Sequence, residues 1–337
     1  MSRSLRVGIV VAAVAVVLSV VAFACTRNYY DNHRYHNNHY HTTQPRVTEP
    51  QLPPNNGNYP YQQNGVNVPM NARPARSPSP EILRGDLPQR EAKIAQPNHT
   101  LPTTKIEHSY GVPQDGKPHQ ISIDNQTFFD NHPEYYAVAY DNVSTNKVLY
   151  LTFDCGYENG NTAKILDVLR DKDVPAAFFC TTDHFKQAPD LITRMIEEGH
   201  IVGNHSNTHA SFSGLTRTQM TEEVIAADNY LREHFGYSSP FFRYPCGNYS
   251  ESALDAVASL GFSNIFWSSS YADWDTNAQK GGQYALDTMM ARLHPGAIIL
   301  LHSVSADNAA AMADFIDGAR AQGYTFQELT NLPMFHA

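Results

Sequence analysis

Cysteine is scarce in this chain, with 4 among 337 residues. Three of them, Cys155, Cys180 and Cys246, follow residue 100, and this odd number of thiols excludes a framework in which each of them pairs with another. Cys180 ends an apolar run, where a free cysteine behaves as a small buried hydrophobic side chain. The cysteine content therefore does not identify the cellular compartment.

Positive charge is also in short supply. Lys and Arg total 24 against 33 for Asp and Glu, so the formal net charge is -9, and the acidic excess lies after residue 100. Proteins bind nucleic acid through clustered basic side chains that neutralise phosphate charge. The sequence thus argues against nucleic acid and other acidic partners.

A long apolar run occurs only near the N-terminus, where residues 7–24 carry no charge and follow two arginines. This pattern predicts a signal peptide or a membrane anchor within residues 1–25. The A-x-A sequence before Cys25 leaves three outcomes open: cleavage before Cys25, an uncleaved anchor, or lipid attachment at Cys25. Lipid attachment is the least favoured, because the preceding residues fit a lipidation site poorly. Each outcome exports the rest of the chain, either secreted or held at the cell envelope.

Residues 26–104 lack any helical or alternating apolar period and are rich in Asn, Pro, Tyr and His. Such a segment cannot bury enough apolar surface to offset the entropy that ordering would cost. We therefore expect a disordered linker over residues 26–104 and a single folded domain over residues 105–337.

From residue 147 onward, apolar runs typical of strands alternate with segments of helical spacing. Strands are predicted at residues 147–153, 175–181, 200–203, 241–243, 262–267, 297–301 and 324–326. Helices are predicted at residues 162–170, 190–198, 218–234, 252–260, 284–293 and 307–321. This repetition indicates parallel strands joined by right-handed crossovers. It predicts an α/β fold, a distorted (β/α)7 barrel, with a doubly wound open sheet as the alternative.

Five segments that carry polar or ionisable side chains end or follow these strands. They span residues 152–156, 205–209, 243–247, 273–274 and 300–302. In barrels of this kind the residues after the strands line one mouth, where active sites occur. An open sheet would instead spread the five segments along an edge. Their convergence favours the barrel and predicts a hydrolytic site at its mouth.

Asp154 ends the first strand of the set, where a partly desolvated carboxylate can act as a general base. Arg243 follows two phenylalanines, and its forked guanidinium is suited to fix the orientation of such a carboxylate. The alternatives are structural: a turn residue for Asp154 and an ion pair at the barrel rim for Arg243.

His205 and His209 are four residues apart, so on a helical turn they would project from one side and could hold one metal ion. The alternative is a pair of polar turn residues. Their place after a predicted strand, among the other polar segments, favours the metal site.

His302 ends a very apolar run, and an imidazole at a strand end can donate a proton to a leaving group. Asp273 can orient that imidazole, and Trp274 offers an apolar wall for the face of a sugar ring. The alternative for His302 is a core histidine with satisfied hydrogen bonds.

In this order and spacing, the five segments resemble those of the polysaccharide deacetylases, the NodB-like carbohydrate esterases of family four. The resemblance covers roughly residues 147–326. It implies these roles: catalytic base for Asp154, its ion-pair partner for Arg243, metal ligands for His205 and His209, catalytic acid for His302, and tuning of that acid for Asp273.

Residues 156–160, 273–274 with 279–281, and 294–297 with 302–309 resemble the delta-lactam branch of that family. This branch removes acetyl groups from N-acetylmuramic acid in peptidoglycan, a step toward the muramic lactam of the spore cortex. The resemblance implies contacts between the substrate and three residues, Tyr157, Trp274 and Cys246, with the backbone N–H of the last stabilising the oxyanion.

Cys155 stands where most members of the family have a second aspartate that is the third metal ligand. Because cysteine is itself a zinc ligand, a site made of Cys155, His205 and His209 is chemically reasonable. A site of two histidines, a metal-free pocket and a disulfide between Cys155 and Cys246 are the alternatives. We expect a divalent metal cofactor, zinc, held by the two histidines.

The resemblance implies hydrolytic N-deacetylation of the glycan strands of peptidoglycan at N-acetylmuramic acid. One alternative is a deacetylase or esterase acting on N-acetylglucosamine or another acetylated polysaccharide. A second is a non-catalytic module that binds the cell wall. The expected partners are glycan strands and, through the N-terminal segment, the membrane, but not nucleic acid.

Overall fold

The computed structural model describes residues 81–94 and 100–336. The predicted signal or anchor segment, residues 1–25, lies outside the described residues, as does most of the predicted linker. Within the described part of the chain, no helix is both long and apolar enough to cross a membrane.

Strands and α-helices of the described residues are numbered here in chain order. The strands are β1 (Leu83–Arg84), β2 (Ile106–Glu107), β3 (Ala137–Val138), β4 (Val148–Cys155), β5 (Ala176–Cys180), β6 (Ile201–Asn204), β7 (Tyr237–Ser238), β8 (Phe241–Phe242), β9 (Asn248–Tyr249), β10 (Ser263–Ile265), β11 (Ala297–His302) and β12 (Thr325–Phe326). The helices are α1 (Gln120–Asn131), α2 (Thr162–Lys172), α3 (Thr182–Gln187), α4 (Pro189–Glu197), α5 (Arg217–Phe235), α6 (Glu251–Ser259), α7 (Gly282–Ala291) and α8 (Ala306–Ala321).

The central sheet has the strand order β11-β4-β5-β6-β8-β10-β3, and β12 also pairs with β4. Every pairing between these strands is parallel. The strands and helices predicted after residue 147 are all present, with ends within a few residues of the predicted ones. The predicted α/β class is therefore confirmed.

The sheet curls back on itself instead of lying open. Beyond the end of β10, the N–H of Ser268 donates to the carbonyl of Ile298 (3.1 Å), and the N–H of Leu300 donates to the carbonyl of Ser269 (2.9 Å). These bonds join the chain after β10 to β11, the first strand in the sheet order. A distorted barrel is thus confirmed, and the open-sheet alternative is wrong.

Strand β4 is buried along its whole length, because both of its faces are covered. Leu151 and Phe153 belong to the apolar cluster that also contains residues of α2 and α8. Val148 and Tyr150 belong to a second cluster, made mostly by side chains of the other strands. Successive residues of β4 therefore alternate between the helix layer and the barrel interior.

Residues 81–94, which precede the predicted start of the domain at residue 105, pack against the folded chain. Strand β1 pairs antiparallel with β7, as β2 does with β9. The N–H of Arg90 donates to Asn229 Oδ1 (2.7 Å), and Asn229 Nδ2 donates to the carbonyl of Arg90 (2.7 Å). Contacts of this kind join polar residues that are far apart in the chain. A periodic pattern of apolar residues in the sequence therefore does not predict them.

We expect Asn229→Ala to lower the melting temperature of the protein, because it removes both hydrogen bonds to the Arg90 backbone. The loss should be about 1–3 kcal/mol of unfolding free energy, the usual cost of leaving such groups unpaired. Asn142→Ala is the control, since Asn142 makes an exposed hydrogen bond to Asp130. Equal melting temperatures of the two variants would show that residues 81–94 do not contribute to the stability of the domain.

Candidate active site

Four of the five predicted polar segments meet where parallel strands end at the barrel mouth. His302 of β11 lies opposite Asp154 of β4 in the sheet register. Backbone bonds continue past the strand ends: the N–H of His205 donates to the carbonyl of Cys180 (3.0 Å), and that of Arg243 to the carbonyl of Asn204 (3.0 Å). The sheet hydrogen bonding therefore fixes the backbone from which the site residues project.

Asp154 and Arg243 form a buried ion pair in the barrel interior. Arg243 Nη1 lies 3.0 Å from Asp154 Oδ1, and the arginine is 0% exposed. The same guanidinium donates to Thr152 Oγ1 (2.8 Å) and to the carbonyls of Ile265 and Phe266. Burial lowers the pKa of Arg243, and the nearby Asp154 charge opposes that shift. The arginine is thus held from several sides and fixes one carboxylate oxygen.

His205 faces the other oxygen of the same carboxylate. Its Nδ1 lies 2.9 Å from the carbonyl of Arg243, so this nitrogen carries the proton and Nε2 carries a lone pair. Nε2 is 3.5 Å from Asp154 Oδ2. Burial lowers the pKa of His205, which favours the neutral ring. Two electron-rich atoms therefore face one another across a short gap, an arrangement that a cation would stabilise.

His209 reaches the site from a loop, so the predicted helical turn is wrong. Ser206 and His209 adopt left-handed backbone conformations, with φ of 70° and 60°. Ser206 Oγ accepts a hydrogen bond from the N–H of His209 (3.0 Å) and so holds the loop. The rings of His205 and His209 are 5.0 Å apart between centroids. Burial, with His205 and His302 nearby, sets the pKa of His209 well below its ordinary value.

Asp154 and His205 bring a carboxylate oxygen and an imidazole nitrogen together, and the His209 ring lies beside that of His205. Carboxylate oxygen and neutral imidazole nitrogen are ordinary ligands of divalent metal ions. His205 Nε2 and Asp154 Oδ2 lie 3.5 Å apart, and each has a lone pair that a metal ion could accept. The two histidines and the carboxylate are therefore the residues that could hold the ion.

Cys155 does not point toward this set. Its side chain lies in the apolar cluster on the helix side of β4, because Asp154 before it takes the interior face. The thiol clusters with Cys180 and His184 instead. The predicted ligand set of Cys155, His205 and His209 is not assembled in this structure. The alternative disulfide with Cys246 is not formed either.

His302 is held by Asp273 through two bonds. Its Nδ1 lies 2.7 Å from Asp273 Oδ1, and its backbone N–H donates to Asp273 Oδ2 (2.7 Å). Asn308 Nδ2 donates to the same Oδ2 (2.6 Å) and Tyr271 OH donates to Asn308, so the carboxylate is itself fixed. His302 and Asp273 were predicted from the sequence as an acid and its partner, whereas no role was predicted for Asn308 or Tyr271.

The three predicted substrate contacts lie in different loops. The Trp274 ring stands 5.8 Å from that of His302, between centroids. Tyr157 is half-buried in the loop after β4. Cys246 lies in a tight turn after β8 with φ of 53°. A Cβ on the next residue, Gly247, would lie 2.8 Å from the Trp267 ring, so this turn needs glycine there. Contact of these residues with substrate stays a prediction.

Comparison with known proteins identifies relatives of this chain. A family model described as polysaccharide deacetylase matches residues 141–265. The peptidoglycan-N-acetylmuramic acid deacetylase PdaA of Bacillus subtilis is 43% identical over 200 residues, which are 59% of this chain and 76% of that protein. The peptidoglycan-N-acetylglucosamine deacetylase of Bacillus cereus is 28% identical over 186 residues, 55% of this chain and 66% of that protein.

The fold agrees with these sequence matches. The solved structure of Bacillus subtilis PdaA, described as a family 4 carbohydrate esterase, superposes with a TM-score of 0.66 at 37% sequence identity. The match covers 70% of this chain and 100% of that one. With the barrel, the site geometry and these relatives taken together, the chain belongs to the polysaccharide deacetylase family.

Proposed function

We propose that this protein hydrolyses the acetamide of N-acetylmuramic acid in peptidoglycan and releases acetate and a free amino sugar. The observation that carries the proposal is that two groups able to transfer protons are held separately at one mouth. Arg243 holds Asp154, and Asp273 holds His302. Amide hydrolysis needs such a pair, because one group must take a proton from water and the other must give one to the amine.

In this proposal Asp154 removes the proton from the attacking water while Arg243 keeps the carboxylate oriented. His302 has its Nδ1 bonded to Asp273, which leaves Nε2 to protonate the departing sugar nitrogen. The backbone N–H of Cys246 is assigned to the developing oxyanion. Trp274, beside His302, offers its ring to a sugar face, and Tyr157 contacts the glycan from the loop after β4.

We infer that zinc is the cofactor, held by His205 and His209 with Asp154 Oδ2 bordering the site. A zinc ion bound there would polarise the acetyl carbonyl and lower the pKa of water to about 7. Neutral imidazoles suit this role, and burial favours the neutral form of both rings. Cys155 has no part in this site.

Muramic acid is favoured over glucosamine by sequence similarity. The relative named for N-acetylmuramic acid is 43% identical to this chain, against 28% for the relative named for N-acetylglucosamine. The segment that resembles the delta-lactam branch also supplies both His302 and Asn308, which share Asp273. A module that only binds the wall has no need for this separately held acid and base.

The proposed setting is outside the cytoplasm. Glycan strands of the cell wall are the proposed partner, and the N-terminal segment is proposed to export the protein or to anchor it at the membrane. The acidic balance of the chain, with 33 Asp and Glu against 24 Lys and Arg, does not favour nucleic acid as a partner.

Asp154→Asn and His302→Ala should each lower the deacetylation rate about 100-fold to 10000-fold, the usual range for removing a general base or acid. The measurement is acetate release from purified peptidoglycan fragments. Asp171→Asn is the matched control, because Asp171 lies on an exposed surface and pairs with the adjacent Arg170.

Thermal unfolding of each variant separates catalysis from folding. A variant that melts like the parent but keeps a near-normal rate would remove that residue from the proposed mechanism. Loss of activity together with loss of cooperative unfolding would assign the residue to the fold instead.

Incubation with a glycan that contains both acetylated sugars should produce free amines on muramic residues, and lactam where the lactyl carboxyl is unsubstituted. Mass spectrometry of the digested fragments locates each lost acetyl group. Amines found only on glucosamine would overturn the substrate assignment but leave the hydrolysis of an N-acetyl group in place. Absence of any acetate release would favour the wall-binding alternative.

A further inference from the structure

A second cluster of metal-binding side chains lies on the opposite face of β4. Cys155, Cys180 and His184 each offer one ligand atom, and these atoms all lie within 4.8 Å of one another. All three residues are 0% exposed. This cluster shares no residue with the set Asp154, His205 and His209.

The fold brings the three side chains together in a simple way. Cys155 and Cys180 are the last residues of β4 and β5 and lie opposite each other in the parallel register. Helix α3 begins two residues after Cys180, and Thr181 Oγ1 caps it by accepting from the N–H of His184 (3.2 Å). The capped first turn therefore fixes His184 directly beyond the two strand ends.

The imidazole of His184 is unsatisfied in this setting. Neither ring nitrogen makes a hydrogen bond of ordinary distance and angle, although the backbone of Tyr157 lies near enough to interact with the ring. Leaving a buried polar group without a partner costs about 1–3 kcal/mol. The thiols lie near only weak acceptors, with Cys180 Sγ 3.6 Å and Cys155 Sγ 4.0 Å from carbonyls of their own strands. Apart from a contact between the two thiols and one between His184 and the Tyr157 backbone, the ligand atoms of the cluster therefore have few partners within the protein.

Glu158 supplies a fourth candidate ligand. Its Oε1 accepts from the N–H of Gly160, whereas its Oε2 is buried without a hydrogen-bond partner. The carboxylate is within electrostatic range of both Cys180 and His184. Two thiols, an imidazole and a carboxylate make a donor set that zinc accepts in tetrahedral geometry.

We propose that Cys155, Cys180 and His184 bind a structural zinc ion on the helix side of β4, with Glu158 as the fourth ligand. Binding deprotonates both thiols and releases two protons, which leaves two thiolates on the metal. Around zinc, with Zn–S near 2.3 Å and Zn–N near 2.0 Å, ligand atoms stand about 3.5 Å apart. The three atoms of Cys155, Cys180 and His184 need only a small contraction, and the Glu158 carboxylate, which lies outside that group, must move closer.

The ion would link β4, β5, α3 and the loop that carries Tyr157. An ion bound there would hold the end of β4, next to Asp154, from the helix side and without entering the barrel. A disulfide between Cys155 and Cys180 is the competing explanation, and it would leave the His184 ring unsatisfied.

The test uses the full-length protein loaded with zinc and freed of excess ion. X-ray absorption at the zinc edge should show sulfur neighbours at about 2.3 Å. Cys180→Val and His184→Phe, which keep the buried volume apolar, should abolish or sharply lower the sulfur signal and lose about one zinc per chain. His209→Ala should keep the sulfur signal in full, because it alters only the nitrogen and oxygen site.

Absence of sulfur neighbours in the zinc-loaded parent protein would overturn the proposal. So would a disulfide between Cys155 and Cys180 in non-reducing peptide mass spectrometry. The parent spectrum decides the matter even if a variant fails to fold. None of these readouts depends on deacetylase activity, so the proposal stands or falls separately from the proposed function.

Discussion

The two faces of β4 organise this protein. Because side chains alternate along a strand, Asp154 must enter the barrel and Cys155 must turn toward the helices. The first of these residues meets Arg243 and His205, and the second meets Cys180 and His184. One strand end therefore has two different chemical environments, and a shift of register by one residue would exchange them.

Burial of the Asp154–Arg243 pair carries a cost that the fold offsets with hydrogen bonds. Removing two charges from water is expensive, and the pair is tolerated only when the remaining donors are satisfied. Here the hydroxyl of Thr152 and two backbone carbonyls bind the guanidinium, and the Phe179 ring lies 4.2 Å from its central carbon. A carboxylate held in this way can keep its orientation while a substrate displaces water from the mouth.

The two clusters differ in the metal chemistry that they favour. The mouth offers a carboxylate and two imidazoles, ligands that leave room for water and substrate on a divalent ion. The cluster behind β4 offers two sulfurs and is enclosed by apolar side chains such as Phe153 and Phe178. Closed sites rich in thiolate are typical of structural zinc, which is why we propose a catalytic ion at the mouth and a structural ion behind β4.

The sequence by itself determined the alternating strands and helices, the barrel, and the strand ends at which Asp154, Arg243 and His302 lie. Local period and segment order are properties of neighbouring residues, and they can be read directly from the chain. Only the tertiary structure decided that His209 reaches His205 from a left-handed loop, that Asn308 fixes Asp273, and that residues 81–94 join the domain. It also decided the surroundings of Cys155. Alternation along a strand predicts that Cys155 and Asp154 face opposite ways, but the contacts of Cys155 with Cys180 and His184 depend on strand register and on where α3 begins.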